Sequence, residues 1–107
     1  MEGGVFVVFI TAPRGQGQEI ARRLLEERLV ACVNVASVRS MYWWRGRIEE
    51  DDEDLLVAKT SAEALPRLIE RIKSIHPYEV PELLALPVAA CFGEYCRWVR
   101  GETRGRG

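Results

Sequence analysis

Apolar residues along the chain recur with two periods, one of two and one of about 3.6, and the switches between them predict the elements. Val5 to Ala12, "VFVVFITA", is a continuous β-branched and aromatic run ended by Pro13, and it predicts a strand buried on both faces. "PRGQGQ" breaks the pattern. A helix is predicted over about Gln18 to Leu29, with Ile20, Ala21, Leu24 and Leu25 on one arc and Arg22, Arg23, Glu26 and Glu27 toward water. From Ala31 to Ser61 the alternation of two predicts one long hairpin, turned at Arg45-Gly46. A second helix follows over about Ala62 to Ile75, its stripe made by Leu65, Leu68, Ile69, Ile72 and Ile75. Pro66 falls in or near its first turn, where a missing amide costs least, and Pro77 ends it by pushing His76 out of the α region. Glu79 to Ala89 is predicted as a strand that Pro81 and Pro87 confine to an edge. A short helix over about Gly93 to Arg100 carries Tyr95, Trp98 and Val99, and residues 101–107 form a frayed tail.

The order β-α-β-β-α-β plus a helix suits a ferredoxin-like α+β sandwich, with helices on one face of an antiparallel sheet. The other face, bare in a monomer, calls for a partner. The hairpin supports the same expectation. Each arm is far longer than the usual strand of about five or six residues, and its tip carries Met41, Tyr42, Trp43 and Trp44. Folding back over the core is one account of these aromatics; a subunit interface is the one adopted, since exposed apolar patches mark contact surfaces.

Composition narrows the classes. A chain of 107 residues, 48% hydrophobic and 29% charged, is expected to be a single soluble domain. Its 15 basic and 16 acidic residues give a net charge of -1, which argues against nucleic acid as a partner. No run approaches the roughly 20 apolar residues that cross a bilayer, and no basic leader precedes the first strand, so no membrane role and a cytoplasmic location are expected. Cys32, Cys91 and Cys96 lack C-x-x-C spacing and are expected to be reduced structural thiols.

Few residues carry candidate chemistry. Gly15 and Gly17 follow a strand, but no G-K-[ST] and no complete G-x-G-x-x-G accompanies them, so a plain strand-to-helix connection is expected. The acidic run Glu49 to Asp54 lacks EF-hand spacing and is expected to be a solvated strand paired with Arg39, Arg45 or Arg47, its charge guarding a free edge. His76, the single histidine, either caps the second helix or binds a ligand. Period-two alternation after it would put His76, Tyr78 and Glu82 on one face and Glu79 on the other. Lys59 could face the same cleft and pair with Glu79 or Glu82. No nucleophile with an activating base is apparent, and an enzyme is not expected.

"LLEERLVACVN", "SMYWWRGRIEEDDE", "LLVAKT", "HPYEVPEL" and "YCRWV" resemble, in order and spacing, the CutA family of divalent-cation-tolerance proteins. The resemblance covers Val5 to Gly101. It implies a ferredoxin-like fold, a homotrimer built like the PII signalling proteins with hairpins paired between subunits, and tolerance to copper and other divalent metals without established catalysis. Members with a thiol and paired-histidine copper site have a cysteine before the T-A-P that ends the first strand and a second histidine before H-P-Y. Here those positions are Ile10 and Ile75, leaving His76 as the metal candidate, with copper or another divalent cation bound weakly through it and carboxylates. The alternative is a PII-like module holding a small molecule in clefts between subunits, lined by Lys59, His76, Tyr78, Glu79 and Glu82.

Overall fold

A computed structural model describes residues 4–104. The elements are β1 (Val5–Pro13), α1 (Gly17–Glu26), β2 (Cys32–Trp44), β3 (Arg47–Ser61), α2 (Leu65–Ile75), β4 (Leu83–Pro87) and α3 (Gly93–Glu102). The strands form one antiparallel sheet in the order β2-β3-β1-β4, the ferredoxin-like arrangement expected from the chain order.

The core lies between one sheet face and the first two helices. Alternate positions Val8, Ile10 and Ala12 of β1 and Leu56 and Ala58 of β3 are almost wholly buried there, against Leu24 of α1 and Leu68 and Ile72 of α2. Burial on the opposite face of β1 is uneven: Val5, packed with Cys96 and Val99 of α3, and Thr11 are buried, while Val7 and Phe9 between them are only half-buried. Leu84 and Leu86, their partners on β4, are exposed. The proline-bearing β4 does lie at an edge, as its missing amides require.

Several boundaries move for local reasons. Helix α1 stops at Glu26 because Arg28 adopts φ 61°. Leu29 N–H then bonds the carbonyl of Leu24 and Arg28 N–H that of Leu25, a Schellman ending without glycine. Helix α2 begins only at Leu65; Ser61 Oγ accepts the Ala64 N–H just before it. The last strand is shortened to Leu83–Pro87, since Pro77 and Pro81 hold the preceding segment irregular. Helix α3 continues to Glu102, and Thr103 is buried with its hydroxyl donating to the Val99 carbonyl and hydrogen-bonded with Ser61 Oγ, both at 2.8 Å, so the frayed tail does not begin at Gly101. Residues 105–107 of that tail lie outside the described residues.

Cys91 and Cys96 are joined in a disulfide, which corrects the expectation of free thiols. Cys91 precedes the start of α3 at Gly93, so the five-residue spacing is not measured along a helix, and the Cα atoms stand 6.2 Å apart, within disulfide reach. Cys32 is free.

The hairpin projects, and the molecule measures 46 × 27 × 21 Å. Arg45 (φ 52°) and Gly46 (φ 78°) both take positive φ, as the tight hairpin turn requires. Partner strand β1 leaves β3 at the Pro13–Glu53 pair, and beyond it only β2 and β3 remain paired. Arg39 braces this outer portion with ion pairs to Asp52 (2.9 Å) and Glu50 (3.0 Å). Arg14, not anticipated from the sequence, reaches Asp52 and Asp54 from β1's end.

Gly15 and Gly17 serve the start of α1. Both N–H groups donate to Asp54 Oδ2 at 2.9 Å, so a carboxylate of the chain itself sits at the helix N-terminus. A Cβ on Gly17 would come within 2.7 Å of Asp54 Cβ, which is why glycine stands there.

Candidate functional site: the corner after the second helix

Chain direction changes at "HPYEVPE", between α2 and β4. His76 is the C-cap of α2, its N–H bonded to the Ile72 carbonyl, and its extended backbone satisfies the constraint imposed by Pro77. Its ring is buried. Nε2 lies 2.7 Å from the Thr11 carbonyl, which can only accept, so Nε2 carries the proton. Nδ1 then accepts the Tyr78 N–H at 3.1 Å. Both ring nitrogens are committed, and a metal at His76 would have to displace one of these bonds. The ring ties the corner to the β1 strand. Ile10 is fully buried in the core and Ile75 packs at its margin.

The next residue outward faces the hairpin. The Tyr78 hydroxyl donates to Glu53 Oε2 at 2.7 Å, and burial, then this carboxylate, raises its pKa. Glu53 is 6% exposed although it lies in the acidic run. Further along the hairpin, the Tyr42 hydroxyl donates to Asp51, which raises the phenol's pKa. The Glu82 carboxyl is also raised, first by burial and then by repulsion from Glu53.

These groups border a cleft of about 770 Å³ between the hairpin and the corner. Met41, Tyr42 and Trp44 come to it from β2, and Tyr78, Glu79 and Glu82 from the corner. The structure thus brings together most of the expected cleft residues. The simple alternation expected after His76 is not found, because 76–82 form no strand: His76 lies beneath the cleft, while Glu79 lines it beside Tyr78.

Lys59 is not brought there. Its Nζ contacts Asn34 Oδ1 and lies 3.9 Å from Cys32 Sγ, so it does not pair with Glu79 or Glu82. Lys59 and Glu53 share a strand six positions apart, about 20 Å at the usual rise. Asp51 and Glu53, which sequence reasoning assigned to a solvated acidic face, do line the cleft. The usable signal was their period-two spacing with Leu55 in β3. Trp43 stands away from the cleft and is 72% exposed. Among the described residues, no group of three or more His, Cys, Asp or Glu side chains is placed to hold a metal ion. The described residues therefore do not form a closed metal cage.

Fold and cleft together define an α+β protein of the ferredoxin-like kind with a cleft between its hairpin and its second-helix corner. The family of the CutA1 divalent ion tolerance protein matches residues 6–102, and the chain belongs to that family. It is 48% identical over 99 residues to a divalent-cation tolerance protein CutA of Thermus thermophilus, covering 91% of this chain and 96% of that one. Among solved structures, a PII-like protein CutA from Nostoc sp. PCC 7120 in apo form superposes with TM-score 0.90 at 40% identity, covering 92% and 97% of the two chains. A periplasmic divalent cation tolerance protein CutA from Archaeoglobus fulgidus superposes with TM-score 0.89 at 33% identity, covering 94% and 99%. No helix among the described residues is long and apolar enough to cross a membrane.

Proposed function

We propose that the chain is a non-enzymatic, cytoplasmic homotrimer, a single domain per subunit, that binds or responds to copper or another divalent cation held weakly. The observation that carries this reading, beside family membership, is the electrostatics of the cleft. Asp51, Glu53, Glu79 and Glu82 border it, and its field favours cations. His76 serves this site by holding the corner in place. Trimerisation is supported by Met41 and Trp43, 65% and 72% exposed, and by the uncovered Leu84 and Leu86. Titration of Zn²⁺ or Cu²⁺ into the intact protein is expected to show weak binding that falls further in Glu82→Gln. A tight site indifferent to that change would overturn the placement, and a stable monomer by light scattering would overturn the trimer.

The second reading, a regulatory module that holds a small molecule in the cleft, is favoured by size. About 770 Å³ lies in the range of pockets that bury organic ligands, roughly 300–1,000 Å³, and far exceeds what a bare ion fills.

A further inference from the structure

We infer that the cleft beside Tyr78 is built for an organic cation, an amine or guanidinium several carbons long, and against phosphate-bearing ligands. The inference rests on the small-molecule reading above and names its ligand class.

Charge gives the first argument. The basic residue that borders the cleft is Arg39, and its guanidinium is already engaged, Nη1 by Asp52 and Nη2 by Glu50. Arg14, at the base of the hairpin, is tied to Asp52, Asp54 and the Glu53 and Val38 carbonyls. A nucleotide would bring its phosphates toward Asp51, Glu53, Glu79 and Glu82, while the basic lining residue, Arg39, is already committed to carboxylates. An ammonium meets the opposite situation. Buried Glu53 has the neutral Tyr78 hydroxyl as its partner. Glu82, held partly desolvated beside it, gains from any positive charge that enters.

The walls give the second argument. Tyr42, Trp44 and Tyr78 line the same space. Both phenols have their hydroxyls pinned to carboxylates, which fixes the rings, and aromatic faces attract cations within about 6 Å. Trp44 already displays this chemistry: the Arg45 guanidinium carbon sits 5.5 Å from its ring centroid. Aromatic surface does nothing for a hydrated metal ion but suits the methylene chain and head of an amine. The cleft's size and the absence, among the described residues, of a metal-holding group of side chains point the same way.

Spermidine is the probe, titrated by calorimetry into the intact protein at low salt, with ATP and Zn²⁺ in parallel. Spermidine is expected to bind, and to weaken about tenfold in the double variant Glu79→Gln, Glu82→Gln, whose exposed positions leave the fold intact. Trp44→Ala is expected to weaken it several-fold, and Glu63→Gln, on an exposed site away from the cleft, to leave it unchanged. Equal weakening by Glu63→Gln would overturn the proposal by showing diffuse attraction to an acidic surface. ATP bound in spermidine's place, lost in Trp44→Ala, would overturn the cation class while keeping the small-molecule reading. Zn²⁺ bound at the cleft with no spermidine binding would overturn it in favour of a metal. Binding of none of the three would remove both the inference and the reading beneath it.

Discussion

The inner and outer halves of the β2–β3 hairpin share one ladder but not one environment. From Ser61 to Glu53, β3 has β1 on its far side and helices over one face, and Leu56, Ala58 and Thr60 are wholly buried. From Asp52 to Arg47 it has β2 alone, and Ile48, Met41 and Trp43 are 60%, 65% and 72% exposed. The inner half is organised by its own chain's core. Order in the outer half comes from cross-strand pairs, the Arg39 bridges and the turn, while its apolar side chains remain unspent. Glu53 and Tyr78 meet at the border between the two halves, and there the cleft opens.

That division can be broken most forcefully from the inside. Leu56→Ala leaves a cavity under the helices and is expected to cost about 2–5 kcal/mol in denaturant melts. Trp43→Ser, in the outer half, is expected to alter the dissociated chain's stability by about 0.5 kcal/mol or less. Its effect belongs to light scattering, where the proposed trimer is expected to shift toward smaller species. A costly Trp43→Ser in a chain that stays monomeric would mean the hairpin packs on its own body after all.

Asp54→Ala ranks next. It removes the acceptor for two N–H groups at the start of α1, and is expected to cost about 1–3 kcal/mol. Urea unfolding measures it, and a neutral result would show that water replaces the carboxylate freely.

Tyr78→Phe sharpens the border itself. It deletes one hydroxyl and leaves Glu53 without that donor, for an expected loss of about 1–2 kcal/mol. Paired with Glu53→Gln in a double-mutant cycle, the two changes should be non-additive; additivity would show that this hydrogen bond does not couple corner to hairpin.

The smallest effect has a definite sign. The folded-state pKa of Glu82 is raised, so the folded chain holds this proton more tightly than the unfolded one. Its contribution to stability is present below the unfolded carboxylate range and is lost as pH rises through the folded value. Glu82→Gln is therefore expected to raise the melting temperature slightly at neutral pH and to converge on the parent protein in acid. A lower melting temperature at neutral pH would mean that Glu82 is held by an attractive partner.

The fold was legible because its signals are repeated. Apolar periodicity ran through every core element, proline marked the end of α2 and the edge strand, and the Arg45-Gly46 turn set the hairpin register. The misses have two causes, local backbone conformation that no periodicity signals and contacts between residues distant in sequence. Arg28 ends α1 in a conformation usually left to glycine, and Cys91 reaches Cys96 because the chain bends before α3. Lys59 looked available to the corner until the strand's length separated them. Of the site, Tyr78, Glu79 and Glu82 were legible from the motif, whereas Glu53 was hidden inside an acidic run. Only the ladder that places Glu53 opposite Pro13 and Val38 shows that this one carboxylate turns toward Tyr78.

Asp54 has one more consequence. Because it is tethered to the same sheet, it competes for the N-terminus of α1 as an intramolecular ligand, at the effective concentration of a tethered group, about millimolar or more. A free phosphate at ordinary cellular levels must outcompete that built-in anion and separate it from two amides. The glycines that superficially invite a nucleotide thus belong to a lock that the chain closes on itself, leaving ligand exchange to the cleft lined by Thr11 and Glu53 near the same end of β1.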